Sequence, residues 1–480
     1  MMKSKLYSVM LFSVLTMGLS SCDFDTENYQ QIPTENAYSS VQDLQNGMNG
    51  AYYALGQYSF LGNYAIAYGD FCAGVSNGNR SSGHFYNQSA WIIQDTDGEM
   101  ASIWNYGFKV IDRTTRTIMG GEEILSKAEQ LFLDEDGVAE AKSYVAQCHA
   151  LKALAYYYMV NFFALPYHAG TSNLGLPVVK DKPIEPFAKV SRNTVGETYD
   201  QIIFDLNKAE VLMGEASAVV GEPGYKYMGS MAIQALKARV MMDMGKYDDA
   251  EAAAKKAIEL KDKGNGRGSD NQPNAVNYVN MWSSLAETDE DLFTIAKNES
   301  DNLSANALNT LYGSYRATLS NYVWGLLGEN DARTELYKLT SIGKYQGLST
   351  SAATSNIPIL RKSEMSLIIA EVEARKGNIA EAQDYLLYTA KRNADITSVA
   401  DLPATSDELM KFIAEERVRE FAGEGHRYHD ARRTGEILNM ANFLPFDISK
   451  YVFPIPSDEI NAGFCTEQNT GWEDAMPTRG

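Results

Sequence analysis

Two glycine turns, Gly245-Lys246-Tyr247 and Gly377-Asn378, each separate stretches in which apolar and small residues recur at three- and four-residue steps. Before the first turn, Met231 to Met244 carries Ala232, Leu236, Val240 and Met244 on one stripe; after it, Ala250 to Leu260 carries Ala253, Ala254, Ala257 and Ile258. Ser363 to Lys376 and Ile379 to Asn393 flank the second turn in the same way. That period belongs to helices, and the alanines let the two helices of a pair approach closely. The chain is therefore constrained to a helix-dominated body, with clear helix pairs at 231–260 and 363–393.

Each pair resembles a tetratricopeptide unit, yet the two turn glycines lie far more than one repeat of about 34 residues apart, which excludes a plain tandem array. Something is inserted between the repeats. Lys261 to Ala275 is rich in Gly and Asn, a breaker composition, and 278–330 is rich in Tyr, Trp, Asn and Ser with little helical period. Upstream, Ala139 to Leu165 and Val195 to Met213 are predicted helices, and Pro166, Pro177, Pro183 and Pro186 enforce an extended connection between them. Residues 60–100 form another irregular stretch, punctuated by Gly62, Gly69, Gly74, Gly78, Gly83 and Gly98. Long irregular segments inside a helical body are usually functional or mobile.

The N-terminus has the layout of a lipoprotein signal. Lys3 and Lys5 precede an apolar run, Leu6 to Leu19, and Ser20-Ser21-Cys22 places a cysteine behind two small residues. Residues 1–21 are expected to be removed, Cys22 to carry lipid, and 22–35 to act as a tether. The run is too short to span a bilayer, and the remainder, 36–480, is expected to be one domain that meets the membrane only through its anchor. Asp23-Phe24-Asp25-Thr26-Glu27 resembles the acidic surface-export signals of Bacteroidetes lipoproteins. Cys72, Cys148 and Cys465 then remain, an odd number that allows at most one disulfide.

With 42 basic against 62 acidic side chains, a net charge of −20, the chain is unsuited to nucleic acid and favours a neutral or cationic partner. Catalytic and metal patterns fail. His426 and His429 are spaced as helical metal ligands without an identifiable third. Asp95-Thr96-Asp97-Gly98-Glu99 has its glycine at the wrong position for a calcium loop. There is no Gly-x-Ser-x-Gly elbow, no phosphate-cradling glycine loop and no His-Glu-x-x-His, so no cofactor is expected. The two irregular segments instead supply aromatics and amides, the groups that stack on sugar rings and hold their hydroxyls. The first offers Asp70, Asn77, Asn79, Arg80, His84, Phe85, Tyr86 and Trp91; the second offers Tyr312, Tyr315, Tyr322 and Trp324, with Asn309 and Asn321.

Near the C-terminus, Glu416-Arg417-Val418-Arg419-Glu420-Phe421-Ala422-Gly423-Glu424-Gly425-His426-Arg427, then Asp430 and Arg432-Arg433, resembles the conserved block of the SusD/RagB family. Val452-Phe453-Pro454-Ile455-Pro456 with Gln468-Asn469 and Gly471-Trp472, Ile357-Pro358-Ile359-Leu360-Arg361 with Glu364, and Trp104-Asn105 with Phe108 are similar to further segments of that family, in the same order. Phe108 stands where Tyr is usual and Thr115 where Asn is usual. The resemblance implies an all-α-dominated, SusD-like fold of about four tetratricopeptide-like units with long irregular insertions. It also implies a non-catalytic lipoprotein on the outer membrane, facing the cell exterior, that captures oligosaccharide and passes it to a SusC-like, TonB-dependent transporter. Trp104 and Trp282 fall on scaffold positions, and the charges of the Glu420 to Arg433 block are expected to be structural ion pairs. The family's ligand face is built from its insertions, so Asp70, Arg80 and Trp91 from the first and Tyr312, Tyr315 and Trp324 from the second are the candidate ligand contacts. The alternatives are a lipid-anchored glycosidase and a repeat scaffold that holds a peptide or protein.

Overall fold

The computed structural model describes residues 37–185, 187–264, 275–338, 341–345, 353–465 and 467–480. The expected signal segment, Cys22 and the tether at 22–35 lie outside the described residues, as does most of the Gly- and Asn-rich stretch between 261 and 275.

Helices dominate. In chain order the main ones are α1 (Val41–Leu55), α2 (Tyr64–Phe71), α3 (Gly98–Ser126), α4 (Glu135–Phe163), α5 (Val195–Val220), α6 (Ser230–Asp243), α7 (Tyr247–Gly264), α8 (Lys362–Lys376), α9 (Ile379–Ala390), α10 (Ser406–Phe421) and α11 (His426–Thr434). Four pairs, α3/α4, α6/α7, α8/α9 and α10/α11, match the expected repeat architecture. Their boundaries follow local chemistry. The Thr194 hydroxyl accepts from the Glu197 N–H and the Glu197 carboxylate accepts from the Thr194 N–H, a reciprocal cap that starts α5. Gly377, at φ +80°, closes α8 in the left-handed conformation, and Gly245, at φ +70°, does the same between α6 and α7.

Packing follows the stripes. Ala232, Ala250, Ala253, Ala254 and Ala257 are buried where α6 meets α7, and Ala370 and Ala374 of α8 join Ala382, Leu386 and Ala390 of α9 in one apolar cluster. Helix α4 is buried almost all round, which places Tyr156, Tyr157, Tyr158, Phe162 and Phe163 in the core. Helix α5 continues seven residues past its expected end at Met213. Gly214 has open space around it and does not break the helix, because Ala216 beyond it is buried against the body.

Short strands tie the insertions in. With β1 (Ser76–Asn77), β2 (Asp291–Ile295), β3 (Thr318–Leu319) and β4 (Ile357–Arg361), the antiparallel pairs are β1–β3 and β2–β4. The β2–β4 pair brings Glu290 and Arg361 to the end of α10, where they join a buried network of five cations (Arg333, Lys344, Arg361, Arg392, Arg419) and five carboxylates (Glu290, Asp331, Glu416, Glu420, Glu424). The rest of the block at 416–433 is tied similarly: Arg417 to Asp430 at 2.8 Å, Arg433 to Glu371 at 2.7 Å, and Arg432 to the backbone carbonyls of Asn161, Ala164 and Tyr451. Trp282 packs beneath the Lys344 and Arg361 cations, and Cys72, Cys148 and Cys465 are buried free thiols.

Candidate functional site

The β1–β3 pair joins the two irregular segments, with Ser76 opposite Leu319 and Asn77 opposite Thr318. The Ser320 N–H donates to the Val75 carbonyl at 2.8 Å and extends the seam. A third segment, 439–443, faces them and is held by the C-terminal residues: the Leu444 N–H donates to the Thr478 carbonyl at 2.9 Å and the Gly480 N–H to the Asn442 carbonyl at 3.1 Å. A cleft of about 560 Å³ opens between the three.

Aromatic faces come from Tyr322 and Trp324 on the short helix Asn321–Leu326, and from Tyr86 and Phe443. Val323 is fully buried and pins that helix, which leaves Tyr322 exposed and Trp324 half-buried. Behind Tyr322 lies Arg427, its guanidinium carbon 5.7 Å from the ring centre and itself paired with Glu436 at 2.5 Å. Four amides, Asn77, Asn321, Asn439 and Asn442, are exposed along the walls. The Ser320 hydroxyl is buried and has no hydrogen-bond partner among the described residues. Arg479 is the one charged side chain among the described residues that line the cleft.

Unusual backbone shapes these walls. A Cβ on Gly78 would lie 2.4 Å from the Phe85 carbonyl, so only glycine fits that turn. Phe85 (φ 52°) and Trp91 (φ 51°) bracket the turn that delivers Tyr86, and Asn442 (φ 70°) sits at the opposite wall. Left-handed non-glycine residues cost on the order of 1 kcal/mol or more each and concentrate at functional sites.

Of the six residues expected to touch ligand, Trp324 lines the cleft. Three are buried, and the expectation is corrected for each. Trp91 is 5% exposed, with its ring edge-on to Phe446 at 5.0 Å and Tyr451 at 4.8 Å, so it has no free face to offer. Tyr312 lies under the floor, stacked on Phe71 at 6.0 Å with its hydroxyl 2.8 Å from the Ser76 hydroxyl. Asp70 is fully buried and accepts the Gly425 N–H at 3.1 Å. Arg80 is exposed and Tyr315 stacks on His84 at 3.7 Å, and neither lines the cleft. Asn77, Tyr86, Asn321 and Tyr322 stand among the aromatics and amides that the two segments offer, but not among the six candidate contacts. Asn439, Asn442, Phe443 and Arg479 came from outside them; the close mix of amide and aromatic at 439–443 repeats the composition that marked the insertions.

The histidine pair packs against aromatic rings. His426 stacks on Phe421 at 4.3 Å, and His429 is buried beside Tyr158 and Phe162, where burial and the charges of Arg239 and Arg432 push its pKa down to about 3. Glu251, Glu373 and Glu381 come within reach of one another, but Lys376 bonds Glu251 at 2.5 Å and Lys255 bonds Glu381 at 2.8 Å.

Burial pushes the Asp70 carboxyl from 3.8 up to about 8, against the opposing pull of Lys344 and two backbone N–H groups. A carboxyl raised on folding contributes stability that is complete below its unfolded pKa and is lost as pH rises through its folded one. Asp70→Asn, which can still accept the Gly425 N–H, should remove that slope. Between about pH 5 and pH 9 the parent should lose melting temperature relative to the variant. Parallel melting curves across that range would show that Asp70 does not titrate in this way.

Two family models match this chain: one described as "SusD family" over residues 292–443, the other as "Starch-binding associating with outer membrane" over residues 24–242. The chain belongs to the SusD family. A SusD-like protein from Formosa agariphila is 28% identical over 200 residues, 38% of this chain and 37% of that protein, so the match spans little more than a third of the relative. Two solved structures share the fold over almost the whole chain. A SusD superfamily protein from Bacteroides thetaiotaomicron superposes with a TM-score of 0.75 at 24% identity, covering 90% of this chain and 100% of that one. Another from Bacteroides vulgatus gives 0.77 at 23%, covering 91% and 100%. The cleft of this SusD-family chain is formed where its irregular segments meet.

Proposed function

We propose that this SusD-family protein is a non-catalytic, lipid-anchored binding protein of the cell surface that captures an oligosaccharide or polysaccharide in the cleft. It then presents that glycan to a SusC-like, TonB-dependent transporter of the outer membrane. The observation that carries the proposal is the cleft's pairing of aromatic faces, Tyr322 and Trp324, with four exposed amides. Sugar rings stack their C–H faces on such rings, and their hydroxyls need partners that both donate and accept, which amides are. The matched family description, starch-binding and outer-membrane-associating, supports the same ligand class and location. The cleft's described lining contains no Asp or Glu. Glycoside hydrolysis needs a pair of carboxylates across the scissile bond, so this lining supports capture over cleavage. Anchoring through Cys22 would keep the binding body beside the transporter that consumes its ligand.

A polysaccharide array followed by calorimetry on the best binder tests this. Each aromatic stack is worth about 0.5–1.5 kcal/mol beyond its buried area, so the double variant Tyr322→Ala, Trp324→Ala should bind about ten- to a hundredfold more weakly with unchanged helicity. Trp91→Phe, a change in the core, should leave affinity where it was. Unchanged affinity in the double variant would remove the cleft from the function, and sugar release during incubation would refute the non-catalytic role.

A further inference from the structure

We infer that the glycan this cleft takes is anionic, with a uronate carboxylate or a sulfate ester held by Arg479; the inference rests on the glycan-binding proposal above. The chain carries 62 acidic against 42 basic side chains, yet no carboxylate stands among the described residues that line the cleft, and the one charge there is positive. Arg479 spans the site. Its guanidinium carbon lies 5.9 Å from the Phe443 ring centre on one wall, and Nη2 donates to the Ala90 carbonyl on the other at 3.4 Å. Two buried cations on α10 and α11 are paired, Arg427 with Glu436 and Arg419 with Glu416. Arg479 makes no ion pair among the described residues and is exposed to the cleft.

The chemistry of that inventory is directional. A guanidinium offers five N–H donors and no acceptor, and its planar fork matches the paired oxygens of a carboxylate or sulfate. A neutral sugar presents hydroxyls, which also need acceptors, and a carboxylate would be the usual strong one. The amides can serve ring hydroxyls of either kind of glycan, so Arg479 is the group that discriminates. The net charge of −20 by itself favours a neutral or cationic partner. That sum describes the whole surface, whereas at physiological ionic strength exposed charges are screened beyond about 8 Å, so a contact pair inside the cleft is set by its own neighbours.

Matched polysaccharides decide it. Polygalacturonate and its fully methyl-esterified form differ in carboxylate charge, and a sulfated galactan and its desulfated form differ in sulfate; starch is the neutral reference. The purified protein should bind at least one charged member tenfold or more tighter than its neutral counterpart, and which pair shows the gap identifies carboxylate or sulfate. Arg479→Gln should close that gap by lowering affinity for the charged form, and Arg479→Lys should restore part of it. Equal binding of charged and neutral members, or a gap that survives Arg479→Gln, overturns the anionic assignment and leaves the glycan proposal standing. Failure to bind every member, starch included, overturns both.

Discussion

Arg361→Met is expected to destabilise this protein by about 3–5 kcal/mol, the usual cost of removing one partner from a buried ion pair. The guanidinium engages all five of its donors. Nε donates to Glu424 at 2.8 Å, Nη1 to Glu290 at 3.0 Å and Glu420 at 2.9 Å, and Nη2 to Glu424 at 2.9 Å and the Glu420 carbonyl at 3.3 Å. Its faces lie against the rings of Phe421, at 4.9 Å, and Trp282, at 5.3 Å. Methionine fills similar volume but leaves three carboxylates short of compensation in a region that water does not reach. Arg361→Lys keeps the charge and loses the fork, so it should fall between the two.

The pH dependence gives this prediction its signature. Glu420 is held down to about 2, where the charges of Arg361, Arg392, Arg333 and Lys344 outweigh the opposing effect of burial. A carboxyl lowered on folding contributes stability that is present above its unfolded pKa and lost as pH falls through its folded one. In Arg361→Met the same carboxylates lose their strongest partner, so protonation should relieve the variant while it costs the parent. The gap in unfolding free energy should be widest near neutrality and narrow as pH drops toward about 4. Urea unfolding at both pH values measures it, and a gap independent of pH would mean that the loss comes from packing alone.

The helical body was legible because its pattern is local. Ala253, Ala254, Ala257 and Ile258 recur at helical steps within a single turn or two, and Gly245 and Gly377 mark the turns by a conformation that side chains resist. The ion network was legible only in part. Glu420 and Glu424 stand in a recognisable block, but Glu290 and Arg361 reach them through the β2–β4 pairing, whose partners are 62 to 70 residues apart in sequence. No spacing rule announces such a contact.

The cleft shows the same division. Its chemistry, aromatics beside amides, could be read from composition, and Trp324, a candidate on that ground, lies on its wall. The geometry could not, because the seam that builds it is a pair of two-residue strands, Ser76–Asn77 and Thr318–Leu319, too short to leave a period. Trp91 illustrates the cost. It lies in a glycine-punctuated segment and is a candidate ligand contact by composition, whereas a left-handed backbone at Trp91 accompanies a ring packed on Phe446 and Tyr451. The facing wall, Asn439 to Phe443 with Arg479, lies outside both irregular segments, and no motif marks it.

Gly69→Ala and Gly214→Ala make the same substitution in two helices and should have opposite effects. At Gly214, in α5, a Cβ meets nothing within 4 Å, so alanine should stabilise by about 0.5–1 kcal/mol through helix propensity and a less flexible unfolded chain. At Gly69, in α2, the Cβ would lie 2.1 Å from the Gly425 carbonyl oxygen and 2.7 Å from its Cα. Those atoms are backbone and cannot rotate away, and Gly425 is itself fixed: at φ +80° it starts α11, and its N–H is held by Asp70. The overlap can be relieved only by moving α2 and α11 apart, for a loss of about 3 kcal/mol or more. That movement would reach the cleft, since β1 follows α2 and Arg427 of α11 backs Tyr322. Gly69→Ala should therefore weaken glycan binding as well as lower the melting temperature, while Gly214→Ala raises the melting temperature and leaves binding alone. Equal thermal shifts in the two variants would show that the close approach of α2 to Gly425 does not constrain the fold.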